Sequence, residues 1–207
     1  FNAGIKNYHL FLLCGLLPWG FLRGVADSGA NSIVSNSHLI KKASFPRQIL
    51  PFSTVVSNSI PFFVALLLLC ALSMLLNGFT PRIFLWLPFI VLLQIIFLSG
   101  ISMLLAGLSA VYKETQFILE AFLLVLFYLT PIVYDLSMAR AALPDRWLAV
   151  YCFNPMAGIV SAYQSVFFRC QEPDPGLFFL SLSVSLILFF SGFLVFKKCE
   201  RKFEDLL

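Results

Sequence analysis

Five stretches of this chain are apolar for long enough to cross a lipid bilayer, and short polar clusters separate them. A hydrocarbon core of about 30 Å needs about 20 apolar residues in a helix. The pattern predicts membrane-spanning helices over about Leu10–Val34, Phe52–Leu76, Phe84–Leu108, Phe117–Tyr134 and Leu177–Phe196. The first is the most interrupted, because Arg23 and Asp27 fall inside it. Asn77-Gly78 with Thr80-Pro81, and Lys113-Glu114, read as short turns. The single long connection runs from Asp135 to Gly176.

Within that connection, Trp147–Phe168 is apolar enough to be considered as a further crossing. It carries Asn154-Pro155, Gln164 and several hydroxyls, so a half-inserted or surface-lying helical pair fits better. A full crossing would also move the cations after the last span to the other side. With the C-terminus in the cytoplasm, Lys41, Lys42, Arg47, Lys113, Lys197, Lys198, Arg201 and Lys202 are all cytoplasmic. Lys6, Arg82, Arg140, Arg146 and Arg169 lie outside, spread over longer sequence. The denser positive side is the cytoplasmic one. The expected fold is therefore all-α, a polytopic transmembrane bundle forming a single membrane domain over residues 1–207.

Composition agrees. Of 207 residues, 60% are hydrophobic and 12% are charged. A soluble domain carries roughly a quarter charged residues, and a soluble core of this size could not hide so much apolar surface. The net charge of +4 is explained by topology and does not point to nucleic acid. Five cysteines include no CxxC pair, which leaves zinc and dithiol chemistry without support. Cys152 and Cys170 share the long connection, where buried thiols and a disulfide are both open readings.

Catalytic patterns are missing from the sequence. The two histidines, His9 and His38, are far apart, and no HExxH, GxSxG or clustered-acid motif occurs. Without a Walker loop, any ATP and Mg that drive the protein must bind to another chain, so no cofactor is expected in this one.

Three regions could carry function. Arg23 and Asp27 are spaced i, i+4 on one helix face. Such charges mark either a pathway or a self-neutralising structural pair. The segment Leu39-Ile40-Lys41-Lys42 through Phe45-Pro46-Arg47-Gln48-Ile49 mixes apolar anchors with cations and has no carboxylate. It could dock into a partner's groove or lie against lipid headgroups. In the long connection, Pro131 ends a span, and Tyr134, Trp147, Tyr151, Asn154, Pro155 and Tyr163 follow. Their rings suit a membrane interface or a gate over a passage, where aromatic faces also meet sugar rings.

Taken in order, these motifs resemble type-2 ABC exporter permeases for O-antigen, teichoic acid and capsule. The likeness rests on Gly15-Leu16-Leu17-Pro18-Trp19, on Leu39–Pro51, on Leu129-Thr130-Pro131-Ile132-Val133-Tyr134, on Phe153-Asn154-Pro155-Met156-Ala157-Gly158, and on Ala162-Tyr163-Gln164. Lys113-Glu114 departs from the Arg-Asp pair of many such permeases but keeps the charge signs.

The resemblance implies six spans in the intact protein, with an N-terminal amphipathic helix and a first span preceding residue 1. It implies a homodimer in the cytoplasmic (inner) membrane with ABC ATPase subunits bound beneath. Leu39, Ile40, Lys41, Lys42, Phe45, Pro46, Arg47 and Ile49 would form the coupling loop to the ATPase. Residues around Pro131–Tyr163 would form the gate, and the cargo would be a polyprenyl-diphosphate-linked polysaccharide. A drug or lipid exporter of the same architecture, a membrane-embedded enzyme and a structural anchor are the competing expectations.

Overall fold

The computed structural model describes residues 7–38, 45–78, 81–112, 114–138 and 144–200, without the side chains of Asp145, Trp147, Ala149 and Val150. Its helices are α1 (Tyr8–Asn31), α2 (Ile49–Asn77), α3 (Pro81–Val111), α4 (Thr115–Tyr128), α5 (Asp145–Cys152), α6 (Pro155–Tyr163) and α7 (Pro175–Glu200). A π-helical turn, Gln164–Phe168, continues α6. No strand occurs among the described residues. Four helices, α1, α2, α3 and α7, are long and apolar enough to span a membrane. The protein is an all-α, multi-pass membrane bundle.

Helix ends follow local chemistry. Pro81 opens α3 and Pro175 opens α7, where the missing N–H costs nothing. Gly78, at φ 77°, stops α2 in the left-handed region that a side chain resists. Pro18, Pro61 and Pro88 each remove one backbone bond inside α1, α2 and α3. Many large apolar side chains stay on the surface, among them Leu67, Leu75 and Phe117. In water this surface would aggregate, whereas lipid solvates it.

One expected span differs. The segment Phe117–Tyr134 is helical only in α4, 14 residues ending at Tyr128. At 1.5 Å per residue, α4 is about 21 Å long. The cause lies in Thr130-Pro131. Proline cannot continue the hydrogen-bond ladder, and the residue before it is pushed out of the α region. The Ile132 N–H then turns back to the Thr130 carbonyl at 2.8 Å, a tight three-residue turn.

The described residues group into two compact units. One is drawn from Phe1–Gly20, Pro61–Gln94 and Leu126–Val184; the other is drawn from Phe21–Ile60, Ile95–Val125 and Ser185–Leu207. In the first, Leu136, Tyr151, Ala157 and Leu177 form one apolar cluster. In the second, Ile33, Leu50, Met103, Ala106 and Phe196 form another. The second unit is also tightened by glycine. A methyl group on Gly100 would come within 2.6 Å of the Phe189 backbone, and one on Gly192 would strike Gly100. Small residues at helix crossings let backbones touch, which is how helices associate in lipid.

Candidate gate and coupling segment

The candidate gate lies wholly in the first unit and begins with the cap of α6. Asn154 precedes Pro155, and its side-chain oxygen accepts the Met156 N–H at 3.0 Å. This is an N-cap with proline at the first helical position. The same side chain donates through Nδ2 to the Thr130 hydroxyl at 3.1 Å. One asparagine thus fixes both the start of α6 and the broken end of α4.

Every residue of α6 is buried, so the surface-lying alternative does not apply to it. Tyr163, at its end, has no exposed surface. A buried hydroxyl needs a partner, and Gln94 of α3 supplies it. The Tyr163 hydroxyl donates to Gln94 Oε1 at 2.9 Å, while Gln94 Nε2 donates to the Pro18 carbonyl at 3.0 Å. A glutamine inside a span is therefore paired on both ends of its amide. Next in sequence, Gln164 Nε2 donates to the Pro131 carbonyl at 2.8 Å. Tyr163 and Gln164 thus tie α6 to α1, α3 and the proline break.

Beyond the break, the Tyr134 hydroxyl donates to the Tyr128 carbonyl at 2.8 Å and lies 3.3 Å from the Tyr151 hydroxyl. Burial, and the Tyr134 hydroxyl beside it, push the Tyr151 phenol up. Arg169 Nη2 donates to Asp135 Oδ2 at 2.5 Å. Burial alone would raise the Asp135 carboxyl. The Ser137 N–H and the Arg169 guanidinium outweigh it and hold the group below its ordinary value.

The π-helical turn ends at Cys170, a non-glycine residue at φ 53°. Arg82 donates to its carbonyl at 2.9 Å. Cys152 and Cys170 are both thiols in the structure. Of the gate residues expected from sequence, Pro131, Tyr134, Tyr151, Asn154, Pro155 and Tyr163 fall into this one region. The Trp147 side chain lies outside the described residues.

The coupling segment belongs to the second unit. Leu39, Ile40, Lys41 and Lys42 lie outside the described residues, as does Lys113. Phe45 is half-buried and packs against the cluster of Ile33, Leu50, Met103, Ala106 and Phe196. Arg47 Nη1 donates to the Glu200 carbonyl at 3.0 Å, at the C-terminal end of α7. Cations belong at that end of a helix. Pro46 and Ile49 are exposed. Phe45 and Arg47 therefore anchor the segment to its own protein, while Pro46 and Ile49 face outward.

Arg23 and Asp27 form the expected pair at 3.9 Å, with side chains 69% and 47% exposed. Gln94, Thr130 and the Asp135–Arg169 pair escaped the sequence reading. Gln94 carried a visible signal, because a glutamine flanked by Val91-Leu92-Leu93 and Ile95-Ile96-Phe97 must find a partner. The Asp135–Arg169 pair carried none, because its members lie 34 positions apart.

Residues 2–168, from ahead of α1 to the end of the π-helical turn, match the ABC-2 type transporter family. The chain belongs to that family. It is a membrane-spanning ABC-2 transport subunit and not a catalytic enzyme. Among curated relatives, it is similar to the O-antigen export system permease protein RfbA of Myxococcus xanthus, with 29% identity over 204 residues. That alignment covers 99% of this chain and 78% of the relative. Two proteins of the same name from Klebsiella pneumoniae are 28% and 26% identical, each over 98% of this chain and 77% of its own length. For an ABC-2 transporter chain, the absence of catalytic motifs noted above is the expected division of labour.

Proposed function

We propose that this chain is the permease subunit of an ABC exporter that moves a polyprenyl-diphosphate-linked polysaccharide of the O-antigen type out across the cytoplasmic membrane. The observation that carries the reading is the likeness, over nearly the whole chain, to permeases named for O-antigen export. The chain works as a homodimer with a separate ATPase subunit, which binds ATP and Mg. Its C-terminus lies in the cytoplasm, where the denser cations belong.

In this reading the segment around Pro46 and Ile49 contacts the ATPase. Exposed apolar side chains at a fixed position suit a protein groove. Phe45 and Arg47, tied into the permease's own helices, carry the motion inward as rigid struts. The region from Pro131 to Tyr163 is the gate. Its prolines at 131 and 155 divide it into short pieces that move as units, and its side-chain bonds hold it closed at rest. The polymer passes between the two permease copies on aromatic surfaces that grip weakly.

The test is purification of the intact permease from native membranes with whatever binds it. A stoichiometric ATPase, lost in Ile49→Glu while the permease still folds, is the expected result. A permease that purifies alone, under conditions that preserve a known ABC complex, would overturn the reading.

A further inference from the structure

Arg23 lies 15 residues after Tyr8 in a 24-residue span, about 12 Å before the end of α1 at Asn31. It is not a terminal residue that merely leans into water. Its one ion pair among the described residues is to Asp27, at 3.9 Å through Nε. That is the outer limit of such a contact. Among the described residues the guanidinium makes no hydrogen bond, although a guanidinium carries five donors in a planar fork. Its side chain is 69% exposed.

Other polar side chains of this unit are occupied differently. Asn58 donates to the Ser28 hydroxyl at 2.8 Å, and the Thr54 and Ser102 hydroxyls meet at 3.0 Å. That seam closes on itself without using Arg23. Glu120, exposed on α4, lies within electrostatic reach of Asp27. Two helices thus hold one cation and two carboxylates together, with the cation's fork turned outward. Exposed charge within a span is too costly to face hydrocarbon, so this face meets water or a polar ligand. A planar fork matches two oxygens of one phosphate, which a point charge does not.

We propose that Arg23 is a recognition subsite for the diphosphate of the lipid-linked substrate, oriented by Asp27 and made reversible by Glu120. The proposal rests on the function proposed above. Asp27 sits one turn along the helix and steers the guanidinium. Glu120 repels the bound anion, so the site releases a group that must travel onward. A phosphate carried by a bulk phospholipid has the same chemistry, and the test separates the two sources.

The test uses the full-length permease with its ATPase subunit, in nanodiscs of zwitterionic lipid, each variant first shown to elute as the intact complex. Binding of radiolabelled polyprenyl-diphosphate glycan is titrated. Arg23→Gln is expected to raise the half-saturating concentration about tenfold, as loss of a charge-assisted bidentate contact would. Arg23→Lys should fall between it and the native protein, and Glu120→Gln should tighten binding. Superimposable curves for Arg23→Gln and native protein would overturn the proposal while leaving the proposed function intact. An Arg23 effect that appears only when anionic phospholipid is varied, and not with the glycan, would assign the site to ordinary headgroups and overturn it too. Failure of the native complex to bind the glycan would instead bring down the reading of function on which it rests.

Discussion

Asn154 and Arg47 each stand where irregular chain meets a helix, yet their surroundings differ. Asn154 is knotted into a region where side chains hold other elements. Thr130, Gln164, Tyr163 and Gln94 connect the proline break, α6, α3 and α1. Around Arg47 the ties are fewer. One bond reaches the end of α7, Phe45 is half-buried, and Pro46 and Ile49 are exposed. Buried polar groups in lipid have no water to fall back on. The first region therefore has discrete bonded states, as a gate requires. The second keeps its outward side chains uncommitted, as a docking surface requires.

This contrast breaks most visibly at Gln94. Gln94→Leu leaves the Tyr163 hydroxyl and the Pro18 carbonyl unpaired in the interior. It should cost about 2–3 kcal/mol, seen as a lower melting temperature in nanodiscs. Tyr163→Phe, which deletes one end of the same chain of bonds, should cost less. Asp135→Asn should follow, at about 1–2 kcal/mol, because a charged partner of Arg169 is lost.

The same pair sets a pH dependence. The folded carboxyl titrates below its unfolded value of about 3.9, so its stabilisation is complete above that value. It fades as pH falls through the lower, folded value. Asp135→Asn should flatten the acid limb of a melting-temperature profile. Cys170→Gly relieves a left-handed backbone and should raise stability by about 0.5–1 kcal/mol, net of glycine's unfolded-state entropy. Ile49→Glu should change stability least, by under about 0.5 kcal/mol, while abolishing co-purification of the ATPase. A melting shift for Ile49→Glu as large as that of Gln94→Leu would erase the contrast between the two regions.

Much of the fold was legible because lipid imposes length. The helices α1, α2, α3 and α7 lie within a few residues of the predicted segments. The fourth segment ran long in the prediction, because hydropathy continues through Leu129–Tyr134 while Pro131 cannot continue a helix. The gate residues were legible as a set, since proline, asparagine and tyrosine in an apolar context need special conformations or partners. Their partners were not, because Gln94 and Tyr163 are 69 positions apart. Nor did sequence show that Phe45 turns inward while Ile49 turns outward. An irregular segment has no periodicity from which to read a face.

The most direct test of the account is surface polysaccharide in cells that lack the native permease and carry either the full-length protein or its Ile49→Glu form. The account predicts that the full-length protein restores long-chain polymer at the surface. Ile49→Glu, present in the membrane at the same level, should leave the lipid-linked polymer inside. Equal surface polymer from both forms would contradict the coupling role of the segment, and none from either would contradict the export function itself.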